Sequence, residues 1–448
     1  MGIEEIDNYF ILKQSGPFGV VKEPTEKRIK THADLTRTLA WKYQTQQLLN
    51  LPSLGQDEIV KLAMDPKRML VNSQRAYERL AAAYGIQGEK KDIVTKINGF
   101  GKIADGVVYS MRTGPLKAFE RYLEPVNEVK GEDNPFMLGL MAALSDNTYD
   151  GTFCEQIRFE AARKLLFMRI YGALDKRKRD TRAAEQFPRF LNILNQAVLS
   201  TKDASGVRHG IGWSMNSYVL SEHRETDMSC VFVKVIDEET AQKIELRDNQ
   251  KITLLKRRIL DTDGSSEPLY LTPREKIAER EMIKTLRKNE DNPEAAIDDS
   301  MGVMVVLDNQ KSIWNFLDHF IGSTDKAKSF IMIEEIEDRM KRDSCKPTNI
   351  ASHPDARFLK CFARMAGMRI ELMIHTNETY MEYLYMDGVS HDEYDVRRFF
   401  RGNVPNSQFP QIIYRVDWDD VYPGIIKNIR QERRQTKGDY VPGRKFEF

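Results

Sequence analysis

The chain has 448 residues, 41% of them hydrophobic and 30% charged, with a formal net charge of +1. That length allows two or three domains with a buried core, and the near balance of charge argues neither for nor against a nucleic-acid partner. The four cysteines, Cys154, Cys230, Cys345 and Cys361, are far apart and form no Cys-x-x-Cys pair, which excludes a disulfide framework or a zinc ribbon and points to a reducing compartment. No apolar run approaches the ~20 residues a membrane span needs, so no membrane partner is expected. The start, Met1-Gly2-Ile3-Glu4-Glu5, lacks a signal-peptide core, and Ile6 does not fit a myristoylation motif, so a cytoplasmic protein is expected.

The first ~25 residues carry turn signals. From 31 to about 200 the pattern is mostly helical. A helix-former run ends at Pro52, and a second helix over 73–84 stops at Gly85. Thr113-Gly114-Pro115 opens a helix through Tyr122 that Glu124-Pro125 breaks. Capping-box spacing at Thr152 and Glu155 starts a long helix through Ile170. The basic run Lys176-Arg177-Lys178-Arg179 then precedes a helix over 183–199. The segment Asn98-Gly99-Phe100-Gly101-Lys102 lacks phosphate-loop spacing and no strand precedes it, so it is discounted.

The character changes at 201–212, a loop rich in Gly, Ser and charge. Strands are expected at 230–236 and 251–255. A polar loop should follow over 261–268, and Pro273 should open a charged helix lasting to about 288. A short β-branched run, Met301 to Leu307, reads as a buried strand and is followed by a helix over 311–322. The stretch 330–340 fits helix or strand, and 358–366, 368–376 and 411–418 are further strands. A helix over 377–386 takes Asn377 as N-cap, and a polar, basic tail begins at 428. The fold class is α+β: an N-terminal α-helical domain over 1–200, a mixed-sheet domain over 225–420 and a basic C-terminal tail over 421–448.

Two carboxylates stand out. Asp299 lies directly before the central strand, after Asp298. Glu371 lies inside an apolar strand, where a buried carboxylate needs a partner, water or a metal. Alternation places Arg369, Glu371, Met373 and His375 on one side of that strand and Ile370, Leu372 and Ile374 on the other. A solvent-facing Glu371 paired with Arg369 or with a neighbouring strand's lysine is the plain alternative to a catalytic one. Lys256-Arg257-Arg258 ends a strand near where phosphates would need neutralising, although a solvated charged face explains such a run as well. His353, His375 and His391 fall in the same region without metal-ligand spacing.

These motifs resemble the RelA/SpoT nucleotidyltransferase domain, the synthetase module of alarmone enzymes, over roughly 227–418. The family's strand Asp-Leu-Ile-Gly-Val-Arg reads here Asp299-Ser300-Met301-Gly302-Val303-Met304. Its strand Glu-Val-Gln-Ile-Arg-Thr reads Glu371-Leu372-Met373-Ile374-His375-Thr376. Its Gly-Val-Ala-Ala-His-Trp-x-Tyr-Lys segment is similar to Gly388-Val389-Ser390-His391-Asp392-Glu393-Tyr394, one residue shorter. Lys346, Thr348, Asn349, Ser352 and His353 echo its Lys-x-Asn-Gly-Tyr-x-Ser-Leu-His segment, with Ile350 where the base-stacking tyrosine would stand. The resemblance implies a nucleotidyltransferase-like fold. It implies pyrophosphoryl transfer from ATP to a nucleotide or RNA hydroxyl, with Asp299 and Glu371 holding Mg2+ and Glu371 able to act as base. It makes Lys256, Arg257, Arg258, Lys346, His353, His375 and His391 substrate-binding candidates, with Arg274 and Lys276 further phosphate-gripping candidates. The helical half, which lacks a His-Asp pair, would regulate access or bind a protein partner. Because Met304, Met373 and His375 replace polar motif positions, the rival expectation is a catalytically inactive fold serving as a binding or assembly module, of viral or phage type among others.

Overall fold

The structure is a computed structural model. It describes residues 77–125 apart from 79 and 83, 152–199, 201–202, 208–209, 214–262, 265–288, 300–326, 331–340, 352–365 and 368–438. The helix-former run ending at Pro52 and the first residues of the helix expected over 73–84 lie outside the described residues; 77–78 and 80–82 of the latter are helical. The chain divides into two compact units. One holds the described residues within 1–181, 277–297 and 399–425, and the other those within 182–276, 298–398 and 426–448.

In chain order the elements are α1 (Lys90–Thr113), a 3-10 turn (Lys117–Leu123), α2 (Thr152–Asp180), α3 (Ala183–Ile193) with a π turn (Leu194–Val198), and a two-residue ladder (Thr201–Lys202 with Arg208–His209). They continue as β1 (Ser214–His223), β2 (Cys230–Ile236), α4 (Glu238–Lys243), β3 (Gln250–Thr262), β4 (Ser265–Glu275), α5 (Ala278–Lys288) and β5 (Met301–Leu307). Then follow α6 (Gln310–Lys326), β6 (Ile331–Asp338), β7 (Leu359–Met365), β8 (Met368–Thr376), α7 (Asn377–Tyr385) and α8 (His391–Arg401). Two short helices, α9 (Val404–Gln408) and α10 (Gln411–Tyr414), precede the last, α11 (Trp418–Gln435). The combination of helices with a mixed sheet is α+β, as the sequence indicated.

The first unit is helical. α1 buries Ile97, Phe100, Ala104, Val107, Val108 and Met111, a spacing that keeps one stripe inward. It runs straight through the glycine-containing segment 98–102, so that segment is helix and not a phosphate loop. α2 extends ten residues beyond the expected end at Ile170 and takes in the run Lys176 to Arg179 as its last turns. Cations there complement the negative end of the helix dipole. On α5 the carboxylate of Glu281, only 1% exposed, meets Lys178 Nζ at 2.8 Å. The expected strand over 411–418 is instead α10 and the start of α11, because Pro410 precedes one helix and Asp417 accepts from the Asp420 and Val421 backbone N–H groups at the other.

The second unit is an eight-stranded mixed sheet in the order β2-β1-β3-β4-β5-β8-β7-β6. β5 and β8 are the one parallel pair among the described strands. Met301, Val303, Val305 and Leu307 of β5 share a core with Ile370, Leu372 and Ile374 of β8, with Phe316 and Phe320 of α6, and with Phe190 and Leu194. On the other face Val306, Leu255 and Val219 pack against Tyr380, Met381 and Tyr385 of α7. The cap of α7 is Thr376, not Asn377: its hydroxyl and that of Thr379 form a reciprocal capping box.

The expected loop over 261–268 and the helix opening at Pro273 are both corrected. β4 is a strand, and its two prolines sit where it is paired on one side only. Pro268 faces β3 before the β5 pairing begins at Tyr270, and Pro273 faces β5 after the β3 pairing has ended. A strand paired on one side leaves room for a residue without an N–H. β1 carries no strand signal at its start, because its first four residues, Ser214-Met215-Asn216-Ser217, hold no apolar run. Residues 428–435, expected in a polar tail, continue α11. There Arg433 is buried and donates to Glu393 at 3.0 Å. The carbonyls of Arg433, Arg434 and Thr436 all accept from the buried Lys251 ammonium. A buried lysine thus caps the helix end with charge-assisted bonds.

Two buried histidines couple this fold to pH. Burial pushes His375 down to about 3 and His223 down to about 4. Both lie below the ordinary 6.5, so below that pH the unfolded chain binds more protons and folding stability falls as the pH drops. Each histidine should cost on the order of 1 kcal/mol per pH unit across that window. Melting temperatures measured from pH 7 to pH 4 should fall, and His375→Phe should flatten the slope; an unchanged slope would show that His375 is not buried neutral.

Candidate functional site

The pleat of β8 divides its side chains as alternation demands. Ile370, Leu372 and Ile374 are fully buried, and Arg369, Glu371, Met373 and His375 take the opposite face. The register then lays out a row across the neighbouring strands. Arg274 of β4 stands abreast of Gly302 of β5, Gly302 abreast of Glu371, and Glu371 abreast of Phe362 of β7. The adjoining row reads Thr272, Met304, Met373 and Lys360.

Gly302 makes this row work. Arg274 and Glu371 are two strands apart, roughly 10 Å at the usual strand spacing. The arginine reaches over the bare glycine backbone, and its Nη2 lies 3.4 Å from Glu371 Oε2. A Cβ at position 302 would sit 3.3 Å from Arg274 Nε, so any side chain there would crowd the crossing arm. Lys360 Nζ approaches the other oxygen, Glu371 Oε1, at 3.7 Å. The carboxylate, with its side chain 12% exposed, is therefore held between two cations. Without them a carboxylate this far from water would be costly. Beside it, the Arg369 guanidinium lies 3.8 Å over the Phe362 ring and pairs with Glu335 at 2.7 Å. Arg364 pairs with Glu334 at 3.0 Å. The result is a patch of sheet centred on Glu371 in which four cations, Arg274, Lys360, Arg364 and Arg369, face three carboxylates, Glu371, Glu334 and Glu335.

The other sequence candidates scatter. Asp299 and Lys346 lie outside the described residues. Lys256 and Arg258 face the side of the sheet opposite Arg257; Lys256 is exposed, and Arg258 Nη1 reaches Asn195 Oδ1 at 3.5 Å. Arg257 shares Glu371's face, but it is abreast of Tyr270, four residues along β4 from Arg274 and so about 13 Å away. It is 1% exposed and bound to Asp308 at 2.7 Å, which is a structural contact rather than a free phosphate grip. His353 packs against Gly388, and burial, its largest influence, lowers its pKa. His391 opens α8, with Nε2 3.5 Å from Asp395. His375, on Glu371's face, is enclosed by Phe358, Tyr380 and Tyr383. Neither His353 nor His391 is brought to Glu371. Arg274 is, and Lys276 instead donates its backbone N–H to Ser300 O at 2.9 Å at the mouth of β5.

Lys360 escaped notice in the sequence, yet a signal was there. In Leu359-Lys360-Cys361-Phe362-Ala363-Arg364 the buried Leu359, Cys361 and Ala363 share one face, which puts Lys360 and Arg364 on the other, with Phe362 between them. No family model and no curated protein matches the chain. Among the described residues no helix is long and apolar enough to cross a membrane.

Because the Arg274 side chain is partly solvated and Lys360 also faces the carboxylate, the Arg274–Glu371 pair by itself should contribute little to folding. A double-mutant cycle with Arg274→Ala and Glu371→Ala, read by urea unfolding, should give a coupling below about 1 kcal/mol. A coupling of several kcal/mol would make the row a structural clamp.

Proposed function

We propose that the chain is a cytoplasmic, nucleotidyltransferase-like enzyme that transfers a pyrophosphoryl group from ATP to the hydroxyl of a nucleotide or RNA acceptor. The observation that carries this reading is the carboxylate of Glu371 held between Arg274 and Lys360, with the Arg274 arm crossing the bare backbone of Gly302. Two cations flanking one carboxylate on a sheet floor suit a polyphosphate beside the group that handles the attacking hydroxyl. In this reaction the acceptor oxygen bonds the β-phosphorus, the bond from that phosphorus to the α–β bridging oxygen breaks, and AMP departs. Glu371 orients the hydroxyl or takes its proton. Arg274 and Lys360 offset the charge gathered on the phosphate oxygens.

A magnesium ion at Glu371 would have to displace the Arg274 and Lys360 heads that flank it at 3.4 and 3.7 Å, contacts longer than the ~2.8 Å of a tight charge-assisted bond. Glu371 would hold the ion together with Asp299, and the ion would neutralise phosphate charge when bound. The helical unit would carry the protein partner or regulate access.

A second reading has its own support. Met304 and Met373 stand abreast, next to the Glu371 row on the same face. This apolar pair fills positions where a nucleotide-handling strand would carry polar groups, which favours a binding or assembly module that has lost its chemistry.

The purified chain should be incubated with γ-labelled ATP, magnesium and, in turn, GDP, GTP and total tRNA. Label should pass to one of these acceptors. Glu371→Gln should cut the rate at least ~100-fold with the melting temperature little changed. No transfer from the wild-type chain to any acceptor would favour the binding module.

A further inference from the structure

The other end of the parallel pair carries a second polar constellation, independent of the transferase reading. From β5 the chain enters α6, whose Phe316 and Phe320 pack on one face of the sheet. From β8 it enters α7, whose Tyr380 and Met381 pack on the other. Adjacent parallel strands whose helices leave to opposite faces open a crevice at their carboxyl ends, the place where open α/β sheets receive ligands. Asp308 stands there, directly after β5, with its side chain 42% exposed.

The carboxylate is clamped from beneath. Arg257, 1% exposed, donates from Nη1 to Asp308 Oδ1 at 2.7 Å. Asn377, also buried, donates from Nδ2 to the same oxygen at 2.9 Å. Arg257 Nη2 in turn donates to Asn377 Oδ1, closing a ring of three side chains. Everything is spent on Oδ1: among the described residues Oδ2 has no partner. Two buried donors thus anchor one oxygen of a carboxylate whose side chain is partly exposed.

This arrangement selects its ligand by charge. An anion would find Arg257 and both helix starts already offset by Asp308 itself. A hard cation asks for six or more oxygens and would meet a guanidinium. What remains is acceptor capacity, roughly two lone pairs on a fixed oxygen. Tyr270, cross-strand neighbour of both Arg257 and Val306, brings a half-buried ring to the same face. We infer that Asp308, held by Arg257 and Asn377, binds the vicinal hydroxyls of a sugar at the carboxyl ends of β5 and β8. The site is six residues along the strand from Gly302, about 20 Å from the Glu371 row.

The test uses the full chain and isothermal titration with adenosine, D-ribose and 2′,3′-dideoxyadenosine. Adenosine should bind and dideoxyadenosine should bind at least ~10-fold more weakly, a comparison that needs no variant. Asp308→Asn should lose at least ~10-fold for adenosine while matching the wild type for dideoxyadenosine. Measurable ribose binding would assign the site to a free sugar, and adenosine binding without it to a nucleoside; both support the inference. Binding of neither sugar-bearing probe, equal binding of adenosine and its dideoxy form, or an Asp308→Asn variant that binds adenosine like the wild type would overturn it. None of these readouts involves phosphate transfer, so the transferase reading can fail separately.

Discussion

The parallel pairing of β5 with β8 is the constraint on which the second unit depends. Its register aligns Met301, Val303, Val305 and Leu307 with Ile370, Leu372 and Ile374 on one inner face. Strand periodicity is two, so a slip of one residue would turn that entire set outward and drive Glu371 and His375 into the α6 core. Burial of apolar surface on this scale is the dominant favourable term in folding, and it holds the register against that slip. Everything polar about the candidate site follows as its complement: Glu371 faces away from the core because its neighbours along the strand cannot.

Both polar constellations are products of this one pairing. At the start of the strands, Gly302 leaves a gap that Arg274 spans to reach Glu371 from two strands away. At the far end, the helices diverge and Asp308 is set on a pedestal of Arg257 and Asn377. The stretch between them is apolar or aromatic, with Met304, Met373, Val306 and His375 abreast in pairs. The two ends are thus chemically distinct. One offers cations around a carboxylate. The other offers a neutralised carboxylate with an open oxygen.

The prolines and the buried cations show how local rules yield to pairing. Pro273 reads as a helix opener in isolation, but a strand bonded on one side tolerates it, and β4 is so bonded at both of its prolines. The last stretch of chain looks solvated by composition. Yet Arg433 and Lys251 are buried because carbonyl oxygens and Glu393 meet them in place of water.

From its order of residues alone, the chain determined that Met301–Leu307 and Met368–Thr376 would be strands, that β8 would present Glu371 opposite Ile370 and Leu372, and that α6 and α7 would follow them. Those are local facts, written in alternation and in helix periodicity over a few residues. The tertiary structure alone decided that Arg274 and Lys360, nearly a hundred and eleven residues away from Glu371 respectively, would be its partners, and that Arg257 would be consumed by Asp308 rather than left beside it. It also decided that β1 and β4 exist at all. Partners across a sheet are set by strand order and register, and neither is encoded within any one strand.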